Sequence, residues 1–460
     1  MRCRMSIQQY EQALQGKLLL PTNELYEEKC QIFNSAVQSK PAAIIVCETQ
    51  QDVVEAVNYA NARGLTIAVK GGGHHLAGFA IAEGSVVIDQ SAMKTMTVNE
   101  ETKTVEAEAG LKAGELTAEV QKYGLAVPIG TASNPGAFGV ALSGGIGYLR
   151  GVYGLACDNI IGATIVTADG EILTVDEYSH PDLLWALRGG GGNFGVVTKL
   201  VFQAYEIGTD VFALDLMYDY ADAKEVFTKA QRFVEAAPNE SVAVNFTVTI
   251  LPPVPFLPEA LHFKKVIMVL GMYAGAKEEG EAAMQPLREL AKPIMDQSGI
   301  IPYRALQQKL DPMIPQSVNC YGTALYFDKL EGETLQAFLS FMDAPPSPGI
   351  LGQVWSLGGK MNEITAETSP FAMRDAGWAL IVDVMAMDDD DAVCETWIDD
   401  LYAGLLPYAH KKASYLNSVN PREHAVEDAF AENYARLQQV KALYDPTNVF
   451  CHNHNIKVMK

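Results

Sequence analysis

Residues 71–75 read Gly-Gly-Gly-His-His and follow directly on the apolar run Leu65-Thr66-Ile67-Ala68-Val69. Three glycines strip the side chains from a turn at a strand end, so bare N–H groups can close around an anion such as a phosphate. The imidazoles that follow are then held beside whatever the loop grips. Upstream, 42–46 reads as a short strand and Thr49-Gln50-Gln51-Asp52 as a capping box with Asp in the Glu position. Val53, Val54, Val57 and Ala60 share one face of the helix that follows, and Gly64 suits its C-terminal stop. The pattern predicts a β-α-β unit delivering the glycine loop. No G-x-G-x-x-G opens a helix here, which argues against the dinucleotide fold of that fingerprint.

Two more glycine-rich stretches accompany this loop. One carries Gly130, Gly136, Gly139, Ser143, Gly144, Gly145 and Gly147; the other runs from Gly189 to Gly192. Around them, strands are expected near 85–88, 104–107 and 195–202, with helices over 112–123 and 182–188. Asp169-Gly170 between apolar runs predicts a 160–175 hairpin with a type I′ turn. After about residue 206 the glycine clustering stops. Helices (near 221–236, 276–292, 331–342 and 391–404) then alternate with antiparallel-looking strands (near 241–250, 265–273, 320–327 and 378–387), which predicts one sheet with helices on one face. An amphipathic helix over 426–443, with Phe430, Tyr434, Leu437 and Val440 on one stripe, is expected to stop at Asp445-Pro446.

A chain of 460 residues is too long for one simple core, so two domains are expected. The net charge of −22, with no basic cluster to offset it, argues against nucleic acid or anionic membranes as partners. No apolar run is long enough to span a bilayer, and the first residues show no continuous apolar leader, so a cytoplasmic protein is expected. The seven scattered cysteines fit reduced thiols. Cys451, His452 and His454 lie too close together along one tail to close a metal site, and no metal is expected. The acidic run 388–391 suits a solvated helix start.

Several stretches together resemble the FAD-linked oxidases of the vanillyl-alcohol oxidase superfamily, and within it the berberine-bridge-enzyme-like branch. They are the 70–78 loop, Ser143-Gly144-Gly145-Ile146-Gly147, Tyr153-Gly154-Leu155-Ala156 with Asp158-Asn159, 182–189, Asn193-Phe194-Gly195-Val196-Val197-Thr198, and Tyr444-Asp445-Pro446-Thr447-Asn448-Val449-Phe450 with Asn453 and Asn455. The resemblance is dense over the first 205 residues and good over the last 50. It implies an α+β, two-domain PCMH-type FAD-binding fold with an antiparallel-sheet substrate domain backed by helices. The boundaries expected are 1–206 for the FAD domain (core about 38–206), 207–412 for the substrate domain, and 413–460 for a segment returning to the FAD domain.

The resemblance further implies hydride transfer from a small organic substrate to covalently bound flavin, with dioxygen as the electron acceptor. A flavin-containing tailoring enzyme or cyclase of natural-product synthesis, without net oxidation, is the alternative. The flavin would be carried by His74 through its 8α-methyl carbon, with His75 the alternative. Gly71, Gly72 and Gly73 suit the diphosphate, and Gly130, Gly139, Ser143, Gly144, Gly145 and Gly147 close approach to the cofactor. Asp158, Asn159, Val197, Asn453 and Asn455 complete the expected cofactor set. Lys70 stands where relatives usually carry Arg, keeping the charge but not the planar fork. The 130–136 loop, where many relatives place a second flavin-linking cysteine, has none, so a single histidyl bond is expected and Cys157 reads as a small core residue.

The catalytic base departs from the family pattern. Relatives show Tyr-x-Asn-Tyr, whereas this chain has Tyr415-Leu416-Asn417-Ser418, and a serine is a poor base without an activator. Tyr415, Ser418 and Glu363 are the candidates, with Asp383 and Tyr321 beside them. Arg374 reads as structural.

Overall fold

The structure, a computed structural model, describes residues 6–236, 240–255, 257–387, 390–419 and 425–459. Thr49 and Asp52 form the expected reciprocal capping box, and the helix Gln50–Arg63 ends at Gly64 in the left-handed conformation. The strands on either side, Ala43–Val46 and Ile67–Lys70, lie parallel in a four-stranded sheet, with Val86–Asp89 between them and Lys17–Leu19 at the edge. The Gly-Gly-Gly turn therefore leaves the end of an edge strand.

A second sheet is five-stranded and antiparallel, in the order Met96–Asn99, Thr104–Glu108, Val196–Gln203, Ile160–Val166, Ile172–Val175. The 160–175 hairpin forms, but not through a type I′ turn. Of Asp169 and Gly170 only Gly170 has positive φ, and Thr167 N–H pairs with Glu171 O across a longer loop. A type I′ turn needs both central residues at positive φ.

The third sheet is the largest. Its strands run Met295–Asp296, Asp210–Asp219, Lys265–Tyr273, Val242–Ile250, Gly349–Ser356, Trp378–Met385, Cys320–Phe327, with Gly299–Pro302 also pairing to Asp210–Asp219, all antiparallel. Helices Ala223–Ala236, Gly280–Arg288, Gly332–Met342 and Asp391–Leu405 cover one face. There Phe227, Met284, Phe338 and Leu401 pack on Val248, Val269, Leu325, Val382 and Val384. Strand residues point alternately to the two faces, so Ile381, Asp383 and Met385 necessarily point the other way.

The tail returns to the first two sheets. The single helix expected over 426–443 is interrupted: Ala425–Phe430, a 3-10 turn Ala431–Asn433 with Ala431 at φ 45°, then Tyr434–Tyr444. Phe430, Leu437 and Val440 still bury in one cluster with Phe194 and Phe202. Beyond it Lys441 and Asp445, both wholly buried, pair at 2.7 Å. Lys441 also donates to the carbonyls of Asn193 and Phe450, which fastens the tail against the third glycine stretch.

The six described cysteines are unpaired thiols; Cys3 and the aspartates 388 and 389 lie outside the described residues. Among the described residues, no helix is long and apolar enough to cross a membrane.

Candidate functional site

A cavity of about 390 Å³ opens where the three glycine stretches meet the helix-free face of the large sheet. Gly71, Gly72, Gly73, His74, His75, Gly130, Gly139, Ser143, Val197 and Asn453 line it, together with Gly189 to Gly192. The 71–73 and 135–136 loops touch backbone to backbone: a Cβ on Gly72 would stand 2.2 Å from the amide nitrogen of Gly136. Side chains larger than hydrogen would close the floor of the cavity at that crossing. No lysine or arginine lines it among the described residues, so an anion bound there depends on main-chain N–H groups.

The two adjacent histidines are in different states. His75 accepts a hydrogen bond at Nδ1 from Ala77 N–H (3.1 Å), so its proton sits on Nε2, which donates to Leu416 O at 2.8 Å. Both of its nitrogens are engaged. No other residue hydrogen-bonds the ring of His74 among the described residues; instead the ring stacks on Phe33 at 4.1 Å with planes 9° apart. Burial pushes the His74 pKa down to about 4 and lowers that of His75, so both rings are neutral, and a lone pair not engaged by another residue is left on His74 alone of the two.

The tail supplies unmet acceptors. His454 donates from Nε2 to the same Leu416 carbonyl at 2.7 Å, and burial lowers its pKa to about 3. Its Nδ1 and Asn453 Oδ1 are sealed from solvent without a hydrogen-bond partner among the described residues, and both residues line the cavity. Buried acceptors in that state await donors. The bare-backbone cradle and these orphaned acceptors fit a flavin dinucleotide, with its diphosphate, hydroxyls and ring N–H.

Other expected cofactor residues do different work. Asp158 takes two hydrogen bonds from Arg374 and one from Leu155 N–H, and Asn159 donates to Tyr153 O and Leu155 O while accepting from Tyr205. Their polar groups are spent inside the protein, which replaces the cofactor-edge role expected for them. Gly144, Gly145 and Gly147 are not on the cavity wall; Cβ atoms there would run into Phe371, Ala156 and the Ile129 carbonyl. Val197 lines the cavity, and its carbonyl already accepts from Gln90 Nε2 at 3.0 Å. Asn455 Oδ1 is buried and without a partner among the described residues, but it is off the wall.

Among the expected catalytic groups, Tyr415 and Ser418 line the cavity and Glu363 does not. Glu363 is exposed on the short helix Lys360–Glu363, paired with Lys360, which removes it from the site. Tyr321 points to the helix side and donates to Asp391. The Tyr415 hydroxyl accepts N–H bonds from Gly145, Ile146 and Asn417 at 3.0–3.2 Å, so the phenol is pinned to the second glycine stretch.

The large sheet contributes Leu351, Gln353, Trp355, Ile381, Asp383 and Met385 to the wall. Gln353 and Trp355 were not singled out in the sequence, although Leu351, Gln353 and Trp355 alternate with period two. Asp383 is the one carboxylate lining the cavity among the described residues. Its Oδ1 has no hydrogen-bond partner among the described residues, and burial pushes its pKa up to about 7.

Comparison with known proteins agrees with this geometry. The family described as "FAD binding domain" matches residues 41–176, and "Berberine and berberine like" matches 414–457. An FAD-linked oxidoreductase of Dictyostelium discoideum is 30% identical over 98% of this chain and 96% of its own. A carbohydrate oxidase of Microdochium nivale is 26% identical over 96% and 92%. The crystal structure of 6-hydroxy-D-nicotine oxidase from Arthrobacter nicotinovorans superposes with a TM-score of 0.85, 25% identity, and coverage of 96% and 98%.

Proposed function

This chain belongs to the FAD-linked oxidoreductases with a berberine-like C-terminal segment, and on that premise we propose that it is an oxidase of a small organic molecule, with Asp383 as its proton acceptor. FAD, held by the glycine loops, would supply the hydride acceptor for a substrate C–H and the route of the electrons to dioxygen. The observation that carries the assignment is the unpartnered Asp383 carboxylate, in the same cavity as His74 and the glycine loops. A carboxylate with a pKa near 7 is matched to removing a proton from a hydroxyl or ammonium at neutral pH. Ser418, in the position of the relatives' tyrosine, then needs no activator.

The remaining residues bind and orient. Gly71, Gly72 and Gly73 would offer N–H groups to the diphosphate, and the unpartnered Asn453 Oδ1 and His454 Nδ1 would accept hydrogen bonds from the cofactor. Tyr415 holds the 144–146 stretch in place through its three accepted hydrogen bonds. His74 carries the covalent link, because its ring is free of other residues' hydrogen bonds while His75 has spent both nitrogens. No cysteine stands in the 130–136 loop, so the link is single. Leu351, Trp355, Ile381 and Met385 exclude water around the reacting carbon.

Anaerobic mixing of the purified protein with candidate alcohols, sugars and cyclic amines tests this. Bleaching of the flavin band by one of them, with recovery and hydrogen peroxide on admitting air, is the expected result. Turnover of a substrate without bleaching overturns it.

A further inference from the structure

Residues 29–35 form a strap between the glycine loop and the large sheet. Lys70 Nζ donates to Lys29 O (2.6 Å) and Gln31 O (3.0 Å), which anchors one end. Phe33 N–H bonds Gly73 O at 2.9 Å, and Phe33 O accepts from Val318 N–H at 3.0 Å. Asn34, buried, donates from Nδ2 to Leu76 O (2.7 Å) and Cys320 O (2.8 Å) and accepts at Oδ1 from Cys320 N–H (3.1 Å). Phe33 is thus fixed on both sides by main-chain bonds, and its ring is buried with Leu76, Cys320, Leu351 and Met385.

We propose that Phe33 is a positioning residue for flavin attachment: its fixed ring sets the plane of the His74 imidazole so that a nitrogen lone pair points into the cavity. The inference rests on the His74 tether proposed above. A histidine ring turns about two soft torsions, and the attacking lone pair lies in the ring plane. A hydrogen bond to a ring nitrogen would fix that plane by consuming a lone pair, as happens to His75. Face-to-face stacking fixes it without consuming a lone pair. The stack on Phe33 is the contact of this kind that His74 makes.

A bond forms between the His74 nitrogen and the 8α carbon of the flavin. One hydrogen leaves that methyl group and one leaves the imidazole, and with two electrons they reduce one dioxygen to hydrogen peroxide. Phe33 takes no part in these bond changes. Its effect is on how often the nitrogen is aligned.

The test compares wild type with F33L, which keeps apolar bulk but no flat face, and F33Y, which keeps the face. Each protein is purified with its bound FAD. The fraction of flavin that stays with acid-precipitated polypeptide is then measured, and the 71–78 peptide is weighed by mass spectrometry. Loss of one stacking contact corresponds to about a fivefold lower rate of attachment, so F33L, sampled early in expression, is expected to carry about fivefold less covalent flavin at equal total FAD. F33Y is expected to match wild type. Equal covalent fractions in F33L and wild type overturn the role of Phe33 and leave the tether standing. Complete release of flavin from wild type by acid overturns the tether, and the role of Phe33 with it.

Discussion

Gly322 lies directly opposite Asp383 in the pairing of Cys320–Phe327 with Trp378–Met385, and a Cβ at 322 would stand 2.6 Å from Asp383 Oδ1. The glycine leaves room for the carboxylate to keep its place without a hydrogen-bond partner. G322A is expected to displace Asp383 and lower kcat/KM by about ten- to a hundredfold while FAD still binds. Steady-state kinetics beside the flavin absorbance per chain check this, and an unchanged kcat/KM counts against Asp383 as the base.

The acid limb of the pH profile is expected near pH 7, with kcat/KM rising as Asp383 ionises. D383N is expected to lose that limb and about 10²- to 10⁴-fold in kcat. Stability moves the opposite way. The folded pKa lies above the carboxyl's ordinary value of 3.8, so the protonated form favours folding. That contribution is complete below about pH 4 and is lost as pH rises toward 7. Melting curves should show D383N more stable than wild type at pH 8 and level with it near pH 4.

H74A is expected to release all of its flavin into acid, whereas H75A keeps a covalent flavin. H75A removes the bonds to Ala77 N–H and Leu416 O, and is expected to cost about 1–3 kcal/mol in denaturant unfolding. A tethered H74A would transfer the attachment to another residue.

D445N leaves the ammonium of Lys441 in a wholly buried setting with only the carbonyls of Asn193 and Phe450. The expected loss is about 3–5 kcal/mol by chemical unfolding. Faster proteolysis of the 446–455 tail should accompany it, because Asp445 also accepts from Val449 N–H and Phe450 N–H.

The parts of the fold that alternate between buried and exposed were readable from the residues. The Thr49 capping box, the Gly64 stop and the strand carrying the glycine loop fall within a residue or two of expectation. Strands Asp210–Asp219 and Gly349–Ser356 were not readable, because helices bury one face and the cavity module the other, and no polar alternation survives. The same double burial hid Gln353 and Trp355. The 426–443 stripe kept its period across the break at Ala431, so the pattern located the buried face but not the interruption. Asp383 stood among several acidic and phenolic candidates. Only the three-dimensional arrangement separates it from Tyr321, one face away, and from Glu363 on the surface.

Asn34 ties the loop that bears His74 to the strand next to Asp383 through a single amide, hydrogen-bonded at Leu76 and Cys320. Removing that one side chain would therefore part the loop from the strand at this point and leave the more distant ties, such as Arg150 to Ser356 and Arg374 to Asp158, in place. The spacing between imidazole and carboxylate is thus underwritten by a side chain that hydrogen-bonds to neither of them.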